Sequence, residues 1–358
     1  MSFLPEDDLA SLWNVVSARR VAAERVAAAQ RPAVQFDTTA MCVEDAWLWL
    51  PTGCLDGPQA WADLALMRAT VERDPRFPHR LKQGFCRLDC AVAPFKPGQP
   101  TLARVTVLLR GLFEQWSAFA NRVQWAQTTV VLVVPDGVSA DTWLDTVLMA
   151  WPDAIRAHSY RVMSDCIDTW YVQCLRKTSG AQSLLVLSVN SRIFLPDLCA
   201  DDATQPAGEC VSALYLRRIQ THGVEESACR LYPAHVVEHA PRALQPPKHT
   251  LEIEQVVQSL CEGANVTLEQ VKGVVGDGLL TENRLAQMAA FREAGSAASA
   301  DFYQDIGMSV LTGNVGHCAM IVAQLSLAYL LASEKAENGV LVLDRLRSGR
   351  TSGWLLTR

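Results

Sequence analysis

The chain has 358 residues, with 32 Lys and Arg against 38 Asp and Glu, and a formal net charge of −6 at pH 7. With this excess of acidic residues, the composition does not show the positive charge that is typical of nucleic-acid-binding proteins. The start, MSFLPEDDLASLW, lacks the basic end and apolar core of a secretory signal. Most of the eleven cysteines lie in apolar runs, where free thiols act as small hydrophobes in a reducing compartment. We therefore expect a cytoplasmic protein with a large core.

The N-terminal region predicts an appendage followed by the first core elements. Leu9 to Gln30 is rich in alanine and arginine, and it predicts an exposed helix that ends before Pro32. We assign residues 1–39 to this extension. Met41 to Leu50 is typical of a strand, and Pro58 to Arg73 has the apolar spacing of an amphipathic helix.

Apolar periodicity then predicts an alternation of helices and strands. The predicted elements are helix Leu102–Val123, strand Val130–Val134, helix Asp141–Met149, helix Cys166–Lys177, strand Ser183–Val189 and strand Val211–Leu216. Arg218 to Pro247 contains several prolines and predicts a connector. Beyond it, we expect helix Leu251–Gly263, strand Val271–Val275 and helix Arg284–Ala294.

Gly313 to Ala332 is the most informative stretch. Between Cys318 and Ala332 only Gln324 and Ser326 are polar, so the predicted helix has no face suited to water. Its apolar part is shorter than the roughly 20 residues that a bilayer requires. The helix is therefore expected in the middle of the core with layers above and below it, and no membrane span is expected.

The order helix, strand, turn, strand occurs twice, first from Cys166 to Leu216 and again from Gly313 to Leu356. Such a repeat is similar to the thiolase and β-ketoacyl synthase folds. Three strings carry the resemblance: Asn190-Ser191, Pro206-Ala207-Gly208-Glu209, and Asn314-Val315-Gly316-His317. It implies an α/β protein with a duplicated five-layer αβαβα core. The expected halves are residues 40–217 and 251–358, joined by a connector of residues 218–250.

The resemblance also implies where catalytic groups would lie. Condensing enzymes carry a cysteine at the start of the first buried helix, and here Cys166 lies one turn beyond that place. Asp277, within Gly276-Asp277-Gly278, stands where the first catalytic imidazole is expected, and Thr312 stands where a lysine is expected. Only His317 remains in register. An ionised aspartate cannot donate a hydrogen bond to an oxyanion, so these differences argue against condensation.

Metal and cofactor sites are not expected. Cys86 and Cys90 have no second pair of thiols at ligand spacing, and His235 and His239 lie in the predicted connector. The Gly276-Asp277-Gly278 turn is too short for a phosphate loop.

Two hypotheses about function follow. The first is a catalytically degenerate adaptor that binds a protein partner. The string Val274-Val275-Gly276-Asp277-Gly278 and the later Asn283-Arg284 resemble thiolase-fold proteins associated with bacterial type VI secretion, which implies a secreted effector or spike component as partner. The fold also implies a homodimer. The alternative is an active β-ketoacyl synthase-like acyltransferase, acting on carrier-bound substrates with Cys166 and His317.

Overall fold

The structure is a computed structural model that describes residues 36–56, 64, 67–73, 84–88, 99–163, 167–176, 182–194, 206–220, 228–239, 251–278, 289–291, 293, 304–334, 339–346 and 349–358. The predicted helix Leu9–Gln30 and the candidate nucleophile Cys166 lie outside these residues.

The described strands are β1 (Phe36–Leu50), β2 (Gly53–Asp56), β3 (Glu72–Arg73), β4 (Gly84–Cys86), β5 (Thr128–Val133), β6 (Ser159–Met163), β7 (Ser183–Ser191), β8 (Ala207–Gln220), β9 (Cys229–Leu231), β10 (His235–Glu238), β11 (Val271–Gly276), β12 (Gln304–Gly307), β13 (Gly339–Asp344) and β14 (Arg350–Thr357). The described helices are α1 (Thr101–Gln115), α2 (Ser117–Ala120), α3 (Ala140–Ala150), α4 (Ile167–Arg176), α5 (Leu251–Ala264), α6 (Met308–Thr312) and α7 (His317–Glu334).

The sheet order contains the same arrangement twice. The main path runs β12-β11-β13-β14-β9-β1-β8-β7-β5-β6. The first strand of each half lies at the centre, β1 in the first half and β9 in the second. Outward from these two strands, the order is β8-β7-β5-β6 in the first half and β14-β13-β11-β12 in the second, so the same relative order occurs twice. In both halves the inner pairs are antiparallel and the outer pairs parallel. The topology therefore agrees with the duplication that the sequence predicts.

Alternate residues of the strands pack into different cores, which separates the layers. Val130 and Leu132 of β5 face the outer helices α1 and α3, whereas Val131 and Val133 face α4 and α7. In the second half, α5 covers the outer face of the sheet, while the inner face packs in the same core as α7. The succession is helix, sheet, helix, sheet, helix, so the five-layer αβαβα fold is confirmed.

The two helices of the middle layer differ in burial. Helix α7 is apolar around its circumference, and its buried Gln324 donates from Nε2 to the carbonyl oxygen of Leu343 at 3.0 Å. Helix α4 has an exposed face that carries Thr169, Gln173 and Arg176. Helix α4 therefore lies in the middle layer as the repeat implies, but polar residues three and four positions apart place one side of it in water.

Other boundaries also differ from the predictions. The helix expected over Leu102–Val123 is interrupted at Trp116, between α1 and α2. The end of the helix expected over Pro58–Arg73 is wrong, since Glu72 and Arg73 form β3, which pairs with β4. The connector contains β9 and β10, while the division into four regions remains a prediction. No helix in the described part of the chain is long and apolar enough to cross a bilayer.

Candidate functional site

The site is built around the start of α7, where a short loop crosses between the two halves. Within this loop Gly313 and Gly316 have positive φ angles of 71° and 81°. Asn314 donates its N–H to the carbonyl oxygen of Pro206 at 2.8 Å, and it accepts from the N–H of Gly208 at 2.9 Å. These bonds attach the loop to the start of β8 and fix the position of the residue that follows, His317.

The imidazole of His317 lies beside a buried carboxylate. Its Nδ1 is 3.3 Å from Oδ2 of Asp344, and the two side chains are 14% and 2% exposed. Asp344 ends β13 and also accepts from the hydroxyl of Ser352 at 3.5 Å. The contact is an electrostatic one between Nδ1 and the carboxylate, and Nε2 is the other functional nitrogen of the ring.

Asp277 reaches the same region from the neighbouring strand. It follows β11, which runs parallel to β13, so both strands end at the same edge of the sheet. Oδ2 of Asp277 accepts the main-chain N–H of Arg345 at 2.8 Å, and its carbonyl oxygen accepts from Ser309 at 2.9 Å. Asp277 and His317 thus contact consecutive residues, Arg345 and Asp344.

Cys166 itself is outside the described residues, but the helix that follows it is described. Asp168, two positions later, lies in the first turn of α4 and is 5% exposed. It is paired with Arg350 of β14. An acidic group therefore lies within two residues of the candidate nucleophile.

A second polar group contacts the loop from the first half, and it was not predicted as part of the site. Asn190 donates from Nδ2 to the carbonyl oxygen of Val315 at 2.6 Å and accepts from the N–H of Asp136 at 3.2 Å. Arg192 donates to Oδ1 of Asn314 at 2.6 Å and pairs with Asp136 at 3.1 Å. Polar residues near the carboxyl ends of β5 and β7 were a signal available in the sequence, since such ends often line sites in α/β proteins.

Position 316, where these polar side chains meet the loop, requires a glycine. A Cβ at this position would lie 2.3 Å from Oδ2 of Asp136 and 3.2 Å from Nδ2 of Asn190. The backbone before His317 therefore packs directly against polar side chains from the first half, which brings both halves into one site.

A buried ion pair supports the start of β8 beneath the loop. Arg104 and Glu209 are fully buried, with Nη2 and Oε2 2.7 Å apart. Glu209 also accepts from the hydroxyl of Ser191 at 2.8 Å and from the N–H of Leu88 at 2.9 Å. The glutamate in the Pro-Ala-Gly-Glu string thus has an observed structural role.

Several described thiols are held in the neutral form. Burial raises the pKa of Cys86 to about 11, with a smaller contribution from Glu72, and burial raises the pKa of Cys229 to about 12. Burial also raises the pKa of Cys210. A thiol with a raised pKa is a poor nucleophile at neutral pH, because the thiolate is the reactive species.

The arrangement around His317 offers one imidazole and several hydrogen-bond acceptors. Asp344 and Asp277 present carboxylates at the ends of adjacent strands. Within the described ranges, no three His, Cys, Asp or Glu side chains are placed to hold a metal ion. These carboxylates can accept hydrogen bonds from a ring N–H or from another donor group.

Comparison with known proteins supports the fold. No protein-family model and no curated protein sequence matches the chain. Among solved structures, a chain of a type II polyketide ketosynthase complex with its acyl-carrier protein aligns with 12% identity and a TM-score of 0.60, covering 90% of this chain and 100% of that one. A β-ketoacyl synthase from Burkholderia phymatum aligns with 12% identity and a TM-score of 0.56, covering 89% and 99%.

A ketosynthase from module 6 of the bacillaene synthase of Bacillus subtilis aligns with 13% identity and a TM-score of 0.58, covering 89% of this chain and 70% of that one. The protein therefore has the thiolase-like fold of ketosynthases.

Proposed function

We propose that the protein is a catalytically degenerate member of the thiolase fold that acts by binding a protein partner. The observation that carries this proposal is the pair of carboxylates around the start of α7. Asp344 lies 3.3 Å from the His317 imidazole, and Asp277 contacts the residue after Asp344. A condensing enzyme needs hydrogen-bond donors where negative charge develops, and these groups are acceptors.

The hydrogen bonding of Asp277 supports its role as an acceptor. A main-chain N–H can only donate, and the Arg345 N–H donates to Oδ2 of Asp277 at 2.8 Å. An ionised aspartate facing an enolate or oxyanion would raise the barrier to its formation. Removing one donor from an oxyanion hole typically slows a reaction by about 10² to 10³, and here an acceptor stands where the resemblance places the donor.

The environment of the candidate nucleophile argues in the same direction. A thiol at a helix start is activated when the helix dipole and nearby cations stabilise the thiolate. Asp168 places a carboxylate two residues after Cys166, and Arg350 is already paired with that carboxylate.

The biological setting that we propose is bacterial type VI secretion. In this role the protein would be a cytoplasmic adaptor, acting as a homodimer, that binds a secreted effector or a spike component. The support is the resemblance of the Gly276-Asp277-Gly278 region to thiolase-fold proteins associated with these systems. A scaffold with a ketosynthase fold and an acceptor-rich site could serve binding without turnover.

The second candidate is an active β-ketoacyl-ACP synthase-like acyltransferase that uses Cys166 and His317. One observation favours it: Nδ1 of His317 lies 3.3 Å from Oδ2 of Asp344 at the start of a buried helix, and a general base is often placed beside such a third group. One of the similar structures is a ketosynthase complex with an acyl-carrier protein. Under this second candidate function, the partner of the protein would be an acyl-carrier protein.

Acylation of the purified protein separates the two candidates. The protein is incubated with an acyl-thioester probe, and labelled cysteines are located by mass spectrometry, with condensation of malonyl and acyl thioesters measured in parallel. The proposed function predicts no product above the level of Cys166→Ala. Stoichiometric acylation of Cys166, together with condensation that Cys166→Ala and His317→Ala abolish, would establish the acyltransferase instead.

A further inference from the structure

Two large apolar side chains are exposed next to each other near the end of α3. Met149 is 82% exposed and Leu148 is 47% exposed, and elsewhere in the described ranges only Val71 is an exposed large apolar residue. The opposite face of α3, with Trp143 and Val147, is buried in the outer core of the first half. Single apolar residues are common on protein surfaces, whereas adjacent ones of this size indicate a contact surface.

Two carboxylates continue the same exposed face toward the start of α3. Asp141 and Asp145 are both exposed. Asp141 lies seven residues before Leu148. Asp145 lies four residues before Met149, so the four side chains share one side of the helix. Neither carboxylate forms an ion pair or a side-chain hydrogen bond with the residues that the structure describes. These four residues, the α3 stripe, therefore combine an acidic end with an apolar end.

The end of α3 and the start of β1 lie at the same edge of the sheet. Strand β1 begins at Phe36, and the pairs β1–β8, β8–β7, β7–β5 and β5–β6 place the start of β6 at this edge too. Helix α3 runs from the opposite end of β5 back to this edge, where Trp151 packs against Trp125 and Tyr160. The apolar end of the stripe is therefore at the edge where the chain enters its first described strand.

The chain before β1 is long enough to reach the stripe. Strands β1 and β6 are four places apart in the sheet, which corresponds to about 19 Å. The residue steps from Gln30 to Phe36 span up to about 20 Å. The predicted helix Leu9–Gln30 lies outside the described residues. Its end is close enough to this edge for the helix to lie along α3.

The predicted helix carries complementary groups at the same spacing as the stripe. Arg19, Ala22 and Val26 recur three or four positions apart, which places them on one face. Arg19 lies seven residues before Val26, and the same spacing separates Asp141 from Leu148. Because both helices end near the same edge, they would run parallel. Arg19 would then meet Asp141 where Val26 meets Leu148.

We infer that the segment Leu9–Gln30 docks as a helix on the α3 stripe of the same chain. Its Val26 packs on the apolar end of the stripe, and its Arg19 pairs with the acidic end. Because an exposed ion pair contributes little energy, the apolar contact holds the segment and the charges select its register. The docking involves no residue of the site around His317, so it applies to a binding protein and to an enzyme alike.

Hydrogen exchange of the full chain, followed by mass spectrometry, tests this docking. Amides of residues 9–30 should exchange at least about tenfold more slowly than in a synthetic peptide of the same sequence, because a docked helix opens less often than an isolated one. Leu148→Ser combined with Met149→Ser should remove most of this protection. The control Val71→Ser, which changes an exposed apolar residue outside α3, should leave the protection within about twofold.

A charge exchange tests the register. Arg19→Asp and Asp141→Arg should each reduce the protection, because each places like charges together. Both changes in one chain should restore it. The matched control combines Arg19→Asp with Glu262→Arg, which reverses an exposed carboxylate on α5, and it should restore nothing. Unchanged exchange of the β5 and β7 amides verifies that each variant is folded.

Three results would overturn docking on the same chain. The first is exchange of residues 9–30 that is as fast in the full chain as in the peptide. The second is protection that survives the loss of both Leu148 and Met149, or that the charge exchange does not restore. The third is protection that falls when the protein is diluted, which would place the segment on α3 of a second copy.

Discussion

Nη2 of Arg104 and Oε2 of Glu209 lie 2.7 Å apart in the interior, and both side chains are completely buried. The carboxylate also binds the N–H of Leu88 and the hydroxyl of Ser191. This pair joins α1 to β8 beneath the loop that carries His317. Because each charge is excluded from water, its energetic effect depends on the presence of the other.

Removing the charge of Glu209 alone should be strongly destabilising. Leu88 and Ser191 donate to different oxygens of Glu209, so Glu209→Gln keeps an acceptor for only one of them and leaves the Arg104 guanidinium without its counter-charge. We expect a loss of about 3–5 kcal/mol in the free energy of unfolding. Adding Arg104→Met to Glu209→Gln removes the uncompensated charge and should recover part of that loss. Urea denaturation of both single variants and the double variant measures this coupling. Simple additivity of the two losses would contradict it.

The close approach of β8 to the loop predicts different effects at two glycines. A Cβ on Gly208 would lie 2.0 Å from the carbonyl oxygen of Thr312, whereas a Cβ on Gly263, in α5, would meet nothing within 4 Å. We expect Gly208→Ala to destabilise the protein by about 3 kcal/mol or more, because the obstacle is backbone. Gly263→Ala should stabilise it by about 0.5–1 kcal/mol through helix propensity. Thermal and urea unfolding compare the two variants, and equal effects would refute the predicted contact.

The raised thiol pKa values predict a loss of stability in alkali. Burial raises the pKa of Cys229 from 9.0 to about 12 in the folded protein. Between these values the unfolded thiol ionises first, so the unfolded state binds fewer protons and the free energy of unfolding falls with pH. The contribution is fully present below pH 9 and decreases by about 1.4 kcal/mol per pH unit above it, until the folded pKa is reached.

Cys229→Ala isolates this effect. At pH 7 the variant should be less stable than the wild type by about 1–2 kcal/mol, because a buried group is lost. At pH 10.5 the difference should disappear or reverse, because the alanine variant has no thiol to ionise at this position. Urea midpoints at pH 7, 9 and 10.5 provide the measurement. A difference that stays constant over this range would show that the Cys229 pKa is not raised.

The sequence predicted the central parts of the fold because they are buried on both faces. Strands β5, β7 and β13 are rich in apolar residues and buried along their whole length, and α7 has no polar face, so their hydrophobicity identifies them. The strands β9 and β10 were missed because they are short and lie among prolines and histidines. The exposed face of α4 was not predicted, because the prediction followed the repeated order of helices and strands and did not use the spacing of polar residues within this helix.

The candidate site was only partly predictable for a different reason. His317 and Asp277 were predicted from the resemblance of the Asn314-Val315-Gly316-His317 and Gly276-Asp277-Gly278 strings to the motifs of condensing enzymes. Asp344, Asn190 and Arg192 are separated from the loop in sequence and approach it only when parallel strands end at the same edge. Without the strand order, nothing in the sequence pairs Asp344 with His317.

In the cell, the binding and catalytic hypotheses predict different effects of mutation. If binding is its function, Cys166→Ala and His317→Ala should leave biological function intact, since neither change alters an interaction surface outside the site. Deletion of Leu9–Gln30, or replacement of residues 240–247 in the connector by a Gly-Ser sequence, should impair function. The replacement spares β9 and β10, which belong to the sheet and are needed for folding.

The test introduces each variant into a strain that lacks the chromosomal copy, and it measures effector delivery and the recovery of co-purified proteins. Equal protein levels, checked by immunoblotting, exclude a folding defect. A thiolate nucleophile and a general base cannot be removed from a condensing enzyme without losing turnover, since each acts directly on the reacting atoms. Loss of function in both Cys166→Ala and His317→Ala, with deletion of Leu9–Gln30 tolerated, would therefore identify an enzyme and end the binding hypothesis.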